Sequence, residues 1–114
     1  MPGTSGSPTL IKQIAVMTND AQNAVTLQNY NAQVAAMQAG QPLTTGATGI
    51  KTDAMAKKIF KAAGITYDAS VQLTEYKLGA KWRLFYYLKG KGANQTYYLL
   101  LIGHAEDNDL EVYS

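Results

Sequence analysis

The chain has 114 residues, of which 46% are hydrophobic and 16% charged, with no cysteine, one histidine and a formal net charge of +2. That length suits one domain with a modest two-layer core, and the missing cysteine removes disulfide scaffolds, thiolate metal sites and cysteine nucleophiles. No apolar run reaches the roughly 18 residues that span a membrane, and MPGTSGSP lacks the basic and apolar regions of a secretory leader, so a cytoplasmic protein without membrane contact is expected.

In chain order, residues 1–7 read as a flexible N-terminal segment and residues 8–114 as a single domain, helical over 8–64 and sheet-forming over 70–114. Ser7-Pro8 is a helix start, an N-cap followed by proline at the first helical position. Apolar residues follow at Leu10, Ile14, Met17, Ala21, Ala24, Leu27, Tyr30, Val34 and Met37. Their steps of three and four draw one helical stripe, stopped by Gly40 and Pro42. Thr18-Asn19-Asp20 is a second N-cap candidate that would split the stretch in two. Its outer face is Gln and Asn, with few ion pairs to hold it alone, so it should pack on something.

Gln41–Lys51 is a loop. Its Gly49-Ile50-Lys51-Thr52 ending departs from the Gly-Lys-Ser/Thr of a phosphate loop. Thr52 caps a further helix, Asp53–Ala63, with Met55, Ile59, Phe60 and Ala63 on its apolar face, Lys57, Lys58 and Lys61 on the other, and Gly64 at its end.

Strands follow at Val71–Leu78 and Ala80–Lys89. In the second, Trp82, Leu84, Tyr86 and Leu88 share one face, while Lys81, Arg83, Phe85, Tyr87 and Lys89 alternate onto the other. Residues 90–94 form a glycine-rich hairpin loop. Gln95–His104 is a nearly continuous apolar run, the pattern of a central strand covered on both faces. In a regular strand, His104 would share a face with Tyr98, Leu100 and Ile102. An acidic turn over Glu106–Asp109 leads to a short last strand, Leu110–Tyr113. The expected product is an α+β domain, with N-terminal helices packed on one face of a small, about four-stranded antiparallel sheet.

Charge is segregated. Residues 1–50 carry only Lys12 and Asp20, residues 51–91 carry nine basic groups against Asp53, Asp68 and Glu75 for a net +6, and residues 92–114 carry −4. A basic middle suits a polyanion, although an ordinary solvated surface has the same look. The acidic turn lacks the pattern of a calcium loop, and no Gly-x-Ser-x-Gly elbow or dinucleotide fingerprint is present.

One constellation lies near strand ends around one hairpin: Lys77, Lys81, Arg83, His104 and Tyr113. Metal-free RNA cleavage needs a proton acceptor for the 2′-hydroxyl, positive donors for the phosphoryl oxygens and an acid for the leaving oxygen. These residue types can supply all three. More plainly, His104 can end a buried strand and bond a neighbouring carbonyl. Arg83 can pair with Glu75 or Glu111 across the sheet. The aromatics, Tyr113 included, can be core or anchor.

The segments Tyr76-Lys77-Leu78, Trp82-Arg83-Leu84-Phe85-Tyr86, Ile102-Gly103-His104 and Glu111-Val112-Tyr113-Ser114 resemble the strand core of RelE-like toxins. Those are messenger-RNA endonucleases of toxin–antitoxin systems, within a wider group of barnase-, EndoU- and colicin-like RNases. The resemblance covers about residues 70–114. It implies a cofactor-free endoribonuclease in which Lys77 and Arg83 bind phosphate. His104 would hold the proton-transfer or phosphate position, and Tyr113 would stack on or orient the nucleotide. It also implies an antitoxin or immunity protein covering the basic groove. The chain departs from the pattern at Ala105 and Glu106, where an arginine would follow His104, in the short spacer between Lys77 and Arg83, and across residues 1–40.

Two other functions fit the residues. A non-catalytic nucleic-acid-binding module would meet phosphates with Lys57, Lys58, Lys61 and Lys81 and stack bases on Tyr86 or Tyr87. An interaction or assembly protein of phage or mobile-element type would use the low-charge first helix as its contact, including contact with a second copy.

Overall fold

The computed structural model describes residues 2–114. Strand β1 (Gly3–Gly6) runs directly into helix α1 (Pro8–Thr18), so the segment expected to be flexible contributes a strand. Ser7 joins the two: its hydroxyl accepts the Leu10 amide at 3.1 Å and donates to the Leu100 carbonyl. The helical stretch does split at Thr18–Asp20. Asp20 accepts the Gln22 amide at 3.0 Å and caps a single 3-10 turn, after which α2 (Ala24–Gln38) begins. A short strand, β2 (Ala47–Gly49), precedes α3 (Asp53–Ala63). Helix α3 starts at Thr52, whose side chain accepts from Met55, and ends at Gly64 with φ 74°, a left-handed position that glycine adopts freely. The rest is β3 (Thr74–Lys77), β4 (Arg83–Lys89), β5 (Thr96–Glu106) and β6 (Asp109–Val112).

The sheet has six strands in the order β1-β5-β4-β3-β2, with β6 also on β5. It is larger than the expected four strands, and it is mixed: β1 lies parallel to β5, and every other pairing is antiparallel. Of the two extra strands, β2 adds to the edge of β3, and β1 has room because of the length of β5. Its eleven residues leave an outer edge long enough for two short strands end to end. β1 takes Thr96–Leu99 and β6 takes Gly103–Glu106. The backbone amide and hydroxyl of Ser7 and the side chain of Gln13 fill the gap between them. Ser7 binds Leu99 and Leu100, and the buried Gln13 of α1 bonds both backbone groups of Ile102.

Helices cover both faces of the sheet, not one. On the first face, α1 and α2 pack Leu10, Met17 and Met37 against Tyr76, Leu84, Tyr86, Tyr97, Leu99 and Ile102. On the second, α3 packs Met55, Ile59 and Phe60 against Leu73, Phe85, Tyr87, Leu100 and Leu101. The physical cause lies in β4 and β5. Both present large apolar side chains to both sides, and a single helical layer would leave Phe85, Tyr87 and Leu101 in water. One irregularity sets the alternation. Phe85 pairs with Leu101 and Tyr86 with Leu99, so Leu100 is an extra residue in β5, a bulge. Leu100 and Leu101 therefore both face α3, and Ile102 returns to the α1/α2 side.

Candidate nucleic-acid interface

Alternation along each strand decides which candidate residues can act together. Tyr76 and Leu84 belong to the α1/α2 core, so Lys77 and Arg83, one step along from each, rise on the α3 face. They are directly opposite each other in the β3–β4 ladder. Lys77 is exposed and Arg83 half-buried. Arg83 Nη1 donates to the Gly79 and Trp82 carbonyls, each at 3.2 Å. Among the described residues neither cation forms an ion pair with a carboxylate; the pairs that do form are Lys81–Glu111, Lys89–Asp68 and His104–Glu106. Opposed like charges destabilise a cross-strand pair. Next to Arg83 stands Gly103, where a Cβ would come within 2.6 Å of the Glu111 carbonyl oxygen, so no side chain adjoins Arg83 on the β5 side and the next in that row is Val112 of β6.

His104 and Tyr113 lie on the other face. Leu110 packs with the α3 core while Tyr113 packs with the α1/α2 core, and His104 sits opposite Glu111, which alternates with Leu110. His104 Nδ1 donates to the Lys81 carbonyl at 3.0 Å, and Nε2 lies 3.4 Å from a Glu106 carboxylate oxygen. Around it is a hollow of about 200 Å³ whose other walls are Glu106, Asp107, Asp109 and Glu111. Four carboxylates there oppose an incoming phosphate. Tyr113 is buried, packs edge-on against Trp82 with centroids 5.2 Å apart, and accepts a hydrogen bond from Asn23 at 3.0 Å. Its ring is core and its hydroxyl is engaged. Lys81 pairs with Glu111 at 2.8 Å and lies 4.7 Å from the Trp82 ring centre, so it completes this acidic, aromatic corner. The structure thus brings Lys77 to Arg83, and His104 to Lys81, but does not bring the two pairs onto one surface.

The α3 lysines share the second side of the molecule. Lys57 sits 5.5 Å over the Tyr67 ring, Lys58 donates to the Asn108 carbonyl in the β5–β6 turn, and Lys61 is exposed in the last turn. Lys51 precedes α3 and lines a hollow of about 260 Å³ with Thr52, Ala105 and two carboxylates, Glu75 and Asp107. A lone loop lysine such as Lys51 carries no sequence signature of phosphate binding beyond its charge. On the same face, Lys89 meets Asp68 at 2.5 Å. Hydrogen bonds from Lys89 and Ser70 hold the Asp68 carboxyl down at about 2, and that contact raises Lys89. The tyrosines named for base stacking are mostly enclosed. Tyr86 packs at 6.1 Å from Tyr97 in one core and Tyr87 at 5.0 Å from Tyr98 in the other, and burial raises both hydroxyls.

Among the described residues no group of His, Asp and Glu side chains is arranged to hold a metal ion, and no helix is long and apolar enough to cross a membrane. The chain matches no family model, no curated protein and no solved structure.

Proposed function

We propose that this domain is a non-catalytic nucleic-acid-binding module that meets phosphates with its α3 side. The observation that carries the reading is the opposed pair Lys77 and Arg83, two cations on one sheet face without a carboxylate partner. Such a pair costs stability in the free protein, and a bound phosphate offsets that cost. Lys51, Lys57 and Lys61 extend the cationic side, while the α1/α2 layer over residues 8–38 carries only Lys12 and Asp20. Endoribonuclease chemistry has less support. Its proton-transfer candidate His104 stands among carboxylates on the opposite face from Lys77 and Arg83.

The test is fluorescence anisotropy with a labelled single-stranded RNA, titrated with salt. Each phosphate contact lowers the slope of log K against log salt by about 0.7 on single strands, so Lys77→Ala with Arg83→Ala should flatten it by about 1.4. An unchanged slope refutes the phosphate role of the pair. RNA cut by the wild type and spared by His104→Ala would return the domain to the endoribonuclease reading.

A further inference from the structure

The sheet ends at β1 in an unusual edge. Gly3 N donates to Gln95 O at 3.0 Å and Ser7 N to Leu99 O at 2.9 Å, so the amides of residues 3, 5 and 7 point at β5. By alternation, the N–H and C=O groups of Thr4 and Gly6 point away from the sheet. Among the described residues no backbone partner reaches them. Natural edges are blunted by brevity, by charge, by proline or by a covering element; β1 is short, at four residues. β1 is Gly-Thr-Ser-Gly, without a charge, and only Thr4 is half-covered.

Both sides of this edge are hollow. On the α1/α2 side a groove of about 260 Å³ lies between Thr4 and Gly6 of β1 and the side chains of Leu10, Ile11, Ile14 and Val34. On the α3 side a second, of about 200 Å³, lies between Gly6, Ser7, Ile65, Tyr87 and Tyr98. Gly6 lines both, and no acidic or basic side chain lines either. Ile11 stands 63% exposed at the mouth of the first.

We propose that β1 is a docking edge for an extended, uncharged segment of a partner protein, which adds to the sheet as a further strand and places two successive apolar side chains in the two hollows. Neighbouring residues of a strand point to opposite faces, so one dipeptide reaches both sides of β1. The outward groups of Thr4 and Gly6 supply the main-chain hydrogen bonds, and the hollows supply the side-chain choice. The absence of charge in both linings selects against Lys, Arg, Asp and Glu at those two positions, because burying an unpaired charge is costly. A second copy presenting its own β1 would offer only Gly, Thr and Ser, which leaves both hollows unfilled. The hollow on the α3 side shares that sheet face with Lys77 and Arg83, but β1 is an outer edge with β5 between it and the β4–β3 pair that carries them, so each reading stands or falls alone.

The test uses the full chain and a panel of fluorescein-labelled octapeptides with Val, Ile, Leu, Phe or Tyr at the two central positions and Ser or Thr elsewhere. Members of the panel should bind and shift the amide resonances of Thr4 and Gly6. Thr4→Pro removes an outward N–H and no bond to β5, so it should keep the melting temperature and weaken binding at least about tenfold. Ile11→Lys should weaken it comparably by placing a charge at one hollow. No bound peptide in the panel, or equal binding by Thr4→Pro, overturns the proposal. So does a wild-type dimer that Thr4→Pro disperses, which would assign the edge to a second copy.

Discussion

Gln13 replaces a missing piece of strand, and its removal should cost far more than a surface substitution. Its Nε2 donates to the carbonyls of Ile102 at 2.7 Å and Tyr113 at 2.9 Å, and its Oε1 accepts the Ile102 amide at 2.7 Å. The residue is 5% exposed. Gln13→Leu keeps the volume but leaves the Ile102 N–H and the Tyr113 C=O without partners; the Ile102 carbonyl retains the Tyr113 amide at 3.0 Å. Two orphaned buried groups at about 1–3 kcal/mol each, less what leucine gains by burial, predict a loss of about 3 kcal/mol. With a urea m-value of about 1.5 kcal/mol/M, the midpoint should fall by about 2 M. Gln13→Glu adds a pH signature. Its carboxylate would accept from Ile102 but face two carbonyl oxygens, and burial would raise its folded pKa above the unfolded value of about 4.3. Below that value both states are protonated and the ionisation penalty is absent. It grows by about 1.4 kcal/mol per pH unit until the folded pKa is passed. The gap to wild type should therefore widen from about pH 4 upward. A Gln13→Leu protein within about 0.5 kcal/mol of wild type, or a Gln13→Glu gap flat with pH, refutes the reasoning.

Two further outcomes follow from contacts elsewhere. The Asp68 carboxyl should titrate near 2 by carbon-detected NMR, and Lys89→Ala should move it back toward its ordinary 3.8. Because the folded value is depressed, the contact contributes stability above about 3.8, and that contribution fades as pH falls through about 2. Gly103→Ala would push a methyl to 2.6 Å from the Glu111 carbonyl oxygen, backbone that β6 cannot withdraw without unpairing. It should cost about 1–3 kcal/mol, and hydrogen exchange should quicken in β6 before it does in β4.

The helices were the most legible part of the chain because capping chemistry is local. Ser7-Pro8, Thr52 and Gly64 each act through groups within a few residues, and each does in the fold what its position announced. The double-sided cover was also written in the sequence: Phe85 and Tyr87 on one side of β4, Leu84 and Tyr86 on the other, and a solid apolar run in β5 all call for apolar partners on both faces. One helical layer could not answer that demand. β1 and β2 were illegible for the opposite reason. Gly-Thr-Ser-Gly and Ala-Thr-Gly have no hydrophobic alternation of their own. They become strands because β5 and β3 present free edges, a tertiary cause that no local pattern carries. Gln13 was hidden likewise, since a polar residue on the buried face of a helix reads as an imperfection until the gap it fills is seen.

The position of His104 shows how one residue can redirect a functional reading. Uninterrupted alternation puts it beside Tyr98, Leu100 and Ile102. The bulge at Leu100 breaks that series, so that Tyr98 and Leu100 stay with α3 while Ile102 and His104 turn toward α1 and α2. The bulge follows from packing. The α3 face receives Tyr98, Leu100 and Leu101 from three of four consecutive residues, filling the space around Phe60 and Tyr87 that strict alternation would leave to two. Beyond the bulge the strand end is fixed by β6, whose Glu111 stands opposite His104, and by the Lys81 carbonyl that accepts the hydrogen bond from its Nδ1. Arg83 and Lys77 are held on the other face by the unbroken alternation of β3 and β4. The phosphate-binding and proton-transfer candidates are thus parted by the sheet itself, Lys77 and Arg83 on the α3 face and His104 on the other.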